Sequence, residues 1–88
     1  MRALIFATNK EFINPSEKIK SLKKNLKIND VLVEEVDVNS PSGSDRAVTY
    51  DVMSFPAVAL IREDGTVQNL WQGELPDYGI ISQSVGHI

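Results

Sequence analysis

Few residues of this chain could carry out chemistry. Its 88 residues include no cysteine and a single histidine, His87, next to the end of the sequence. Thiolate nucleophiles, disulfides, iron–sulfur clusters and thiolate zinc sites are therefore excluded within this sequence. One histidine also leaves no histidine-based metal cluster and no histidine-dependent triad. We accordingly predict no catalytic residue, no metal site and no cofactor.

Several polar segments have ordinary structural explanations. The cluster Ser40–Ser44 lacks the glycine spacing and the lysine of a phosphate-binding loop. Asp45 and Asp51 fit a helix cap and a helix surface, whereas Glu63 and Asp64 fit a hairpin turn. None of these residues therefore predicts a site.

Two further features have both a structural and a functional interpretation. Lysines recur along one predicted helix face at Lys20, Lys23, Lys24 and Lys27. This pattern favours a solvated face, although it could also bind an acidic partner or nucleic acid. Trp71 is expected to be partly buried beside the last helix, and the alternative is a ligand platform.

Composition and charge narrow the class of protein. Apolar residues make up 42% of the chain and charged residues 24%, which is typical of one globular domain over residues 1–88. The net charge of −3 and the pI near 5.0 argue against nucleic acid as a partner. No apolar run approaches the length of a membrane span, so we expect no membrane partner and a cytoplasmic location.

The first half of the chain predicts a strand, a helix and a second strand. The continuous apolar run Ala3–Ala7 is typical of a strand buried on both faces. Asn14–Glu17 reads as a helix start, and apolar residues then recur at Ile19, Leu22 and Leu26.

The next elements are a strand over Val31–Val38 and a second helix. Glu34 and Glu35 indicate that this strand lies at a sheet edge. Ser42 or Ser44 is predicted to cap the following helix.

The last third predicts a hairpin and a final helix. The apolar strand Ala57–Ile61 leads into Asp64-Gly65, a strong hairpin signal, and the returning strand ends at Gly73. A short helix is predicted to follow Leu75–Asp77. The predicted order is therefore β-α-β-α-β-β-α.

One segment of the chain resembles the thioredoxin and glutaredoxin family. The segment Tyr50–Val58, followed by Asp64-Gly65 and Trp71–Gly73, is similar to the part of that family in which a helix leads to a cis-proline and an apolar strand. The resemblance implies an α/β fold, a thioredoxin-like three-layer sandwich with a four-stranded mixed sheet. It also assigns the cis-proline role to Pro56. The enzymes of this family carry cysteine in the loop that corresponds to Thr8–Asn14, and this loop has none.

The resemblance also implies where a ligand would bind. In this family the backbone before the cis-proline, here Phe55, pairs with an extended peptide or a glutathione-like ligand. The loop residues after the first strand would lie beside Pro56. Phe12 either folds inward or joins Phe55 as an exposed anchor. The candidate partner-binding residues are Lys10, Glu11, Phe12, Ser54, Phe55, Pro56 and Ala57.

These observations predict a non-catalytic binding or scaffold module with a protein or peptide partner. Thiol–disulfide oxidoreductase activity is excluded, because it requires a thiolate that attacks a disulfide sulfur. One alternative is a glutathione-binding protein derived from a glutaredoxin. Another is a small accessory or regulatory protein that uses its lysine-rich helix.

Overall fold

The two continuous apolar segments form the two inner strands of one sheet. The computed structural model describes residues 1–85 and places the strand Arg2–Ala7 (β1) antiparallel to the strand Ala57–Ile61 (β3). Residues 3–7 and 57–61 are all buried. Strands covered on both faces need apolar residues at every position, which explains the absence of alternation in these two runs.

The two remaining strands lie at the edges of the sheet. The strand Leu32–Asp37 (β2) pairs in parallel with β1, and Val67–Gln72 (β4) pairs antiparallel with β3. The order β2-β1-β3-β4 makes a four-stranded mixed sheet, as the sequence predicts, and places Glu34 and Glu35 on an edge strand.

Helices cover the two faces of the sheet unequally. The helices Glu17–Ile28 (α2) and Tyr78–Val85 (α4) pack on one face, and Pro41–Thr49 (α3) packs on the other. Ser16 caps α2 by accepting a hydrogen bond from the backbone N–H of Ile19 at 3.3 Å. The core of the α2 and α4 face contains Ala3, Ile5, Ile19, Leu22, Leu26, Val31, Val58, Leu60, Leu75 and Ile81. The core of the α3 face contains Leu4, Phe6, Val36, Ala47, Val52, Ala57, Ala59 and Ile61.

The cap of α3 differs from the prediction of Ser42 or Ser44. Ser40 caps this helix, because its hydroxyl accepts a hydrogen bond from the backbone N–H of Gly43 at 3.0 Å. A proline then occupies the first turn, where its missing N–H costs nothing. The cluster Ser40–Ser44 thus forms the cap and the first turn of the helix.

The other elements of the structure differ little from those predicted from the sequence. The predicted loop Thr8–Asn14 contains a short helix, Asn9–Ile13 (α1), so the order is β-α-α-β-α-β-β-α. Gly65 turns the hairpin with a φ of 91°, where glycine is favoured. His87 lies outside the described residues. Within the described part of the chain, no helix is long and apolar enough to cross a membrane.

An ion-pair cluster joins α3 to the edge strand β2. The Glu34 carboxylate accepts two hydrogen bonds from the Arg46 guanidinium, one of them at 3.2 Å, and Arg2 lies 3.7 Å away. The hydrogen bond from Arg46 and the charges of both arginines hold the pKa of Glu34 below its usual value of 4.5. Because the folded-state pKa is lowered, the stability from this pair is present above pH 4.5 and is lost as the pH falls through the folded-state pKa.

A double-mutant cycle of Glu34→Gln and Arg46→Gln should show this pH dependence. The side chains are partly exposed, so we expect a coupling energy of only about 0.5–1 kcal/mol at neutral pH. At acidic pH the coupling should approach zero, because Glu34 is then protonated in the folded state. Urea unfolding of the parent, the two single variants and the double variant at neutral and acidic pH measures this coupling energy. A coupling energy that is the same at both pH values would contradict this assignment.

Candidate functional site

The segment before β3 lies at the end of the sheet where β1 finishes. Phe6 of β1 pairs with Ala57 of β3, so the chain that enters β3 and the chain that leaves β1 are at the same end. The peptide bond between Phe55 and Pro56 is cis. We call residues 53–56 the ledge, since they project from this end of the sheet.

The ledge exposes apolar side chains. Met53 is 84% exposed and Phe55 is 43% exposed. Ser54 is also exposed, and Pro56 is half-buried. Burial of such side chains against a partner would remove apolar surface from water, which favours association.

Ala57, one of the predicted site residues, lies below this surface. Its side chain is fully buried because the residue belongs to β3 and packs in the core of the α3 face. A partner at the ledge would therefore not contact the Ala57 side chain as the chain is folded here.

Gln72 positions the ledge from the neighbouring strand β4. Its Oε1 accepts hydrogen bonds from the backbone N–H groups of Met53, at 2.7 Å, and Ser54, at 3.3 Å. Both partners are donors, so the oxygen of the amide must face them. The Pro56 carbonyl accepts a further hydrogen bond, at 3.1 Å, from the backbone N–H of Gly73. Strand β4 therefore holds the ledge at both of its ends.

Replacing Gln72 by leucine should loosen the ledge, whereas Gln72→Glu should not. Leucine has no acceptor for the two N–H groups, but a carboxylate oxygen retains one. A hydrogen bond contributes about 1 kcal/mol net, so amide hydrogen exchange at Met53 and Ser54 should accelerate about fivefold in Gln72→Leu. Equal exchange rates in the two variants would contradict a positioning role for Gln72.

At the centre of the ledge, the Phe55 backbone has no hydrogen-bond partner among residues 1–85. Within residues 1–85, its N–H and C=O take part in none of the backbone hydrogen bonds of turns, loops and caps. Phe55 also lies outside the strands, because β3 begins only at Ala57. These two backbone groups are thus open to an extended chain.

The three candidates after β1 lie on α1 at the same end of the sheet. Lys10 is exposed, Glu11 is half-buried, and in the described part of the chain neither side chain forms an ion pair. Phe12 is half-buried and packs against the core of the α2 and α4 face. Phe12 therefore folds inward, as one of the two predicted orientations has it, and Phe55 is the more exposed of the two aromatic residues. Trp71 packs against the same core.

The sequence motifs do not identify three residues of this site, namely Ile13, Met53 and Gln72. Ile13, at the end of α1, is 74% exposed and adds apolar surface at this end of the sheet. Gln72 contacts residues that lie 18 and 19 positions away, so no local pattern identifies it. Met53 and Gln72 thus extend the candidate site along the ledge, and Ile13 extends it on α1.

The groups available at this site are hydrogen-bonding backbone groups and apolar side chains. The ledge offers a backbone donor and acceptor together with exposed apolar side chains, and the whole sequence provides no thiol. Disulfide exchange cannot take place here without a thiolate.

Comparison with known proteins supports the fold. No family model matches the chain, and no curated protein matches it. The structure is similar to that of thioredoxin 1 from the thermophilic eubacterium Thermosipho africanus TCF52B, with a TM-score of 0.64 and 17% sequence identity. The match covers 97% of this chain and 90% of that one. The predicted α/β, thioredoxin-like architecture is thereby confirmed, and the chain is a cysteine-free protein with a thioredoxin-like fold.

Proposed function

We propose that this protein is a non-catalytic, thioredoxin-like binding module that captures an extended peptide segment of a partner protein on the ledge. The observation that carries the proposal is the Phe55 backbone, which is unpaired within the described part of the chain, beside the exposed side chains of Met53 and Phe55. An extended peptide would pair with this backbone and bury those side chains, which is the chemistry of strand addition.

The positioning of the ledge supports the proposal. Gln72 accepts two hydrogen bonds from the backbone before Phe55, and Gly73 donates one to the carbonyl of Pro56 after it. A segment that is ordered before binding loses less conformational entropy when the partner arrives. The ledge is therefore better suited to recognition than a mobile loop of the same composition.

The fold alone does not require catalysis. Folds and functional sites are separable, and a scaffold can keep a binding surface without its reactive groups. In the family that this chain resembles, the thiols belong to the segment where this protein has Thr8–Asn14. That segment supplies apolar surface through Ile13 instead. The protein would thus hold a partner rather than modify it.

A peptide selection tests the proposal. The protein would be immobilised and panned against a phage-displayed library of random linear peptides, and the selected peptides measured by fluorescence polarisation. We expect Phe55→Ala to weaken binding about tenfold, as for a central aromatic contact. Val48→Ala is the matched control, since Val48 is 74% exposed on α3 and lies outside the ledge. It should leave the affinity unchanged.

Two results would overturn the proposal. One is a selection that yields no peptide, and the other is a set of peptides whose affinity is equal for Phe55→Ala and Val48→Ala. Titration with reduced glutathione, observed by NMR, addresses the alternative of a glutathione-binding protein. Amide shifts at Ser54–Ala57 caused by glutathione, in the absence of any selected peptide, would favour that alternative.

A further inference from the structure

The charges of the chain are distributed very unevenly. Helix α2 carries five lysines and one glutamate, a net charge of +4. The whole chain has nine basic and twelve acidic residues, so the other 76 residues carry four basic and eleven acidic ones, a net charge of −7. A cationic helix thus lies on an otherwise acidic protein.

Part of this helix lines an open groove. The groove has a volume of about 440 Å³ and is lined by Lys20, Lys23, Lys24, Lys27 and Ile28. Ile28 is 66% exposed, so the groove combines an apolar contact with surrounding ammonium groups. Lys20 and Lys27 are seven residues apart, which is about 10 Å along the helix axis.

The lysines of the groove are not equally available to bind an anionic partner, because two of them already lie beside carboxylates of this chain. Lys23 lies 2.6 Å from the Glu35 carboxylate, and Lys20 lies 3.6 Å from that of Glu17. Within residues 1–85, Lys24 and Lys27 form no ion pair. These two ammonium groups, next to Ile28, are the ones that an incoming anionic group would meet.

We propose that the α2 groove binds an acidic peptide segment that carries an apolar residue among its carboxylates. Carboxylates three or four residues apart would match the lysine spacing, and the apolar residue would cover Ile28. This surface is separate from the ledge and does not depend on the proposed function.

The observations favour an acidic peptide over other anionic partners. Within residues 1–85, no aromatic side chain lines the groove to stack on a base, which is the contact that single-stranded nucleic acid uses. The apolar stripe of α2 is buried against the sheet, which leaves little of the helix to insert into a lipid surface. An acidic helical segment needs neither an aromatic stacking platform nor a broad apolar face, because its carboxylates would pair with the lysines.

The test uses fluorescein-labelled peptides with glutamates three or four residues apart around one leucine. Binding would be measured by fluorescence polarisation at low ionic strength. Lys24→Gln should weaken binding about threefold, and Lys24→Gln with Lys27→Gln about tenfold. Lys18→Gln is the matched control, because it removes the same charge from the same helix outside the groove. Because charges act over longer distances at low ionic strength, Lys18→Gln should weaken binding clearly less than Lys24→Gln does, and Phe55→Ala should leave the affinity unchanged.

Other results would overturn the inference. These are the absence of binding at low ionic strength and an equal loss of affinity in Lys18→Gln and Lys24→Gln. Tighter binding of oligouridylate, or of phosphatidylserine vesicles, than of the acidic peptides would also overturn it in favour of those partners. Because Phe55→Ala is expected to affect only peptides selected on the ledge, failure at one surface is distinguishable from failure at the other.

Discussion

Replacing Phe6 by alanine should lower the free energy of unfolding by about 4 kcal/mol, whereas Phe55→Ala should lower it by less than about 1 kcal/mol. Phe6 is fully buried in β1, and its ring meets the Tyr50 ring edge-on with centroids 6.4 Å apart. Its removal leaves a cavity in the core of the α3 face. Phe55 is 43% exposed, so the same change there removes much less buried surface.

Urea unfolding of the two variants makes the comparison direct. A chain of this length has a total stability of roughly 5–13 kcal/mol, so Phe6→Ala should shift the midpoint substantially. Phe55→Ala should fold nearly as well as the parent and yet lose peptide affinity. Equal destabilisation by the two substitutions would show that Phe55 belongs to the core and not to a binding surface.

Gly43→Ala should lower the free energy of unfolding by about 3 kcal/mol. A Cβ atom on Gly43 would lie 1.8 Å from the carbonyl oxygen of Asp37 and 2.8 Å from the hydroxyl of Ser40. The first of these neighbours is backbone and cannot move without separating α3 from the end of β2. The same carbonyl accepts a hydrogen bond from Ser40, so the helix cap would be disturbed as well.

Gly79→Ala is the matched control for this prediction. Gly79 lies in α4, and a Cβ atom there would have no neighbour within 4 Å. Alanine is a better helix former than glycine by up to about 1 kcal/mol, so this variant should be as stable as the parent or more stable. Thermal unfolding of both variants measures the difference. Equal stability of the two would contradict the close packing of Gly43 against β2.

The strands and the longest helix could be predicted because each has a strong local signal. The run Ala57–Ile61 is apolar at every position, and the stripe Ile19, Leu22, Leu26 has the spacing of one helix face. The hairpin was predictable from Asp64-Gly65, since glycine supplies the positive φ that the turn requires. For these elements the local preference and the tertiary packing agree.

The first turn of α3 and the short helix α1 lacked such a signal. Ser40, Ser42 and Ser44 are all good cap residues, and only the packing against the Asp37 carbonyl selects Ser40. Helix α1 has five residues, too few to show a helical period. Phe12 is a single aromatic residue in that segment, so its inward orientation follows from the core beneath it and not from any pattern.

The candidate site was predictable only in part. The resemblance around Pro56 led to Phe55 and Ser54, because those residues adjoin the motif. It did not lead to Gln72, whose contacts connect β4 to the ledge across the sheet. Side-chain contacts between distant segments depend on register, and a single sequence gives little information about register.

The central claim is that the ledge binds an extended peptide through the Phe55 backbone. An NMR titration of the ¹⁵N-labelled protein with a peptide selected on it tests this most directly. We predict amide shifts concentrated at residues 53–55, Ala57 and Gln72, with nuclear Overhauser contacts between the peptide backbone and Phe55. Shifts confined to α2 or α3, with the residues of the ledge unchanged, would contradict the claim.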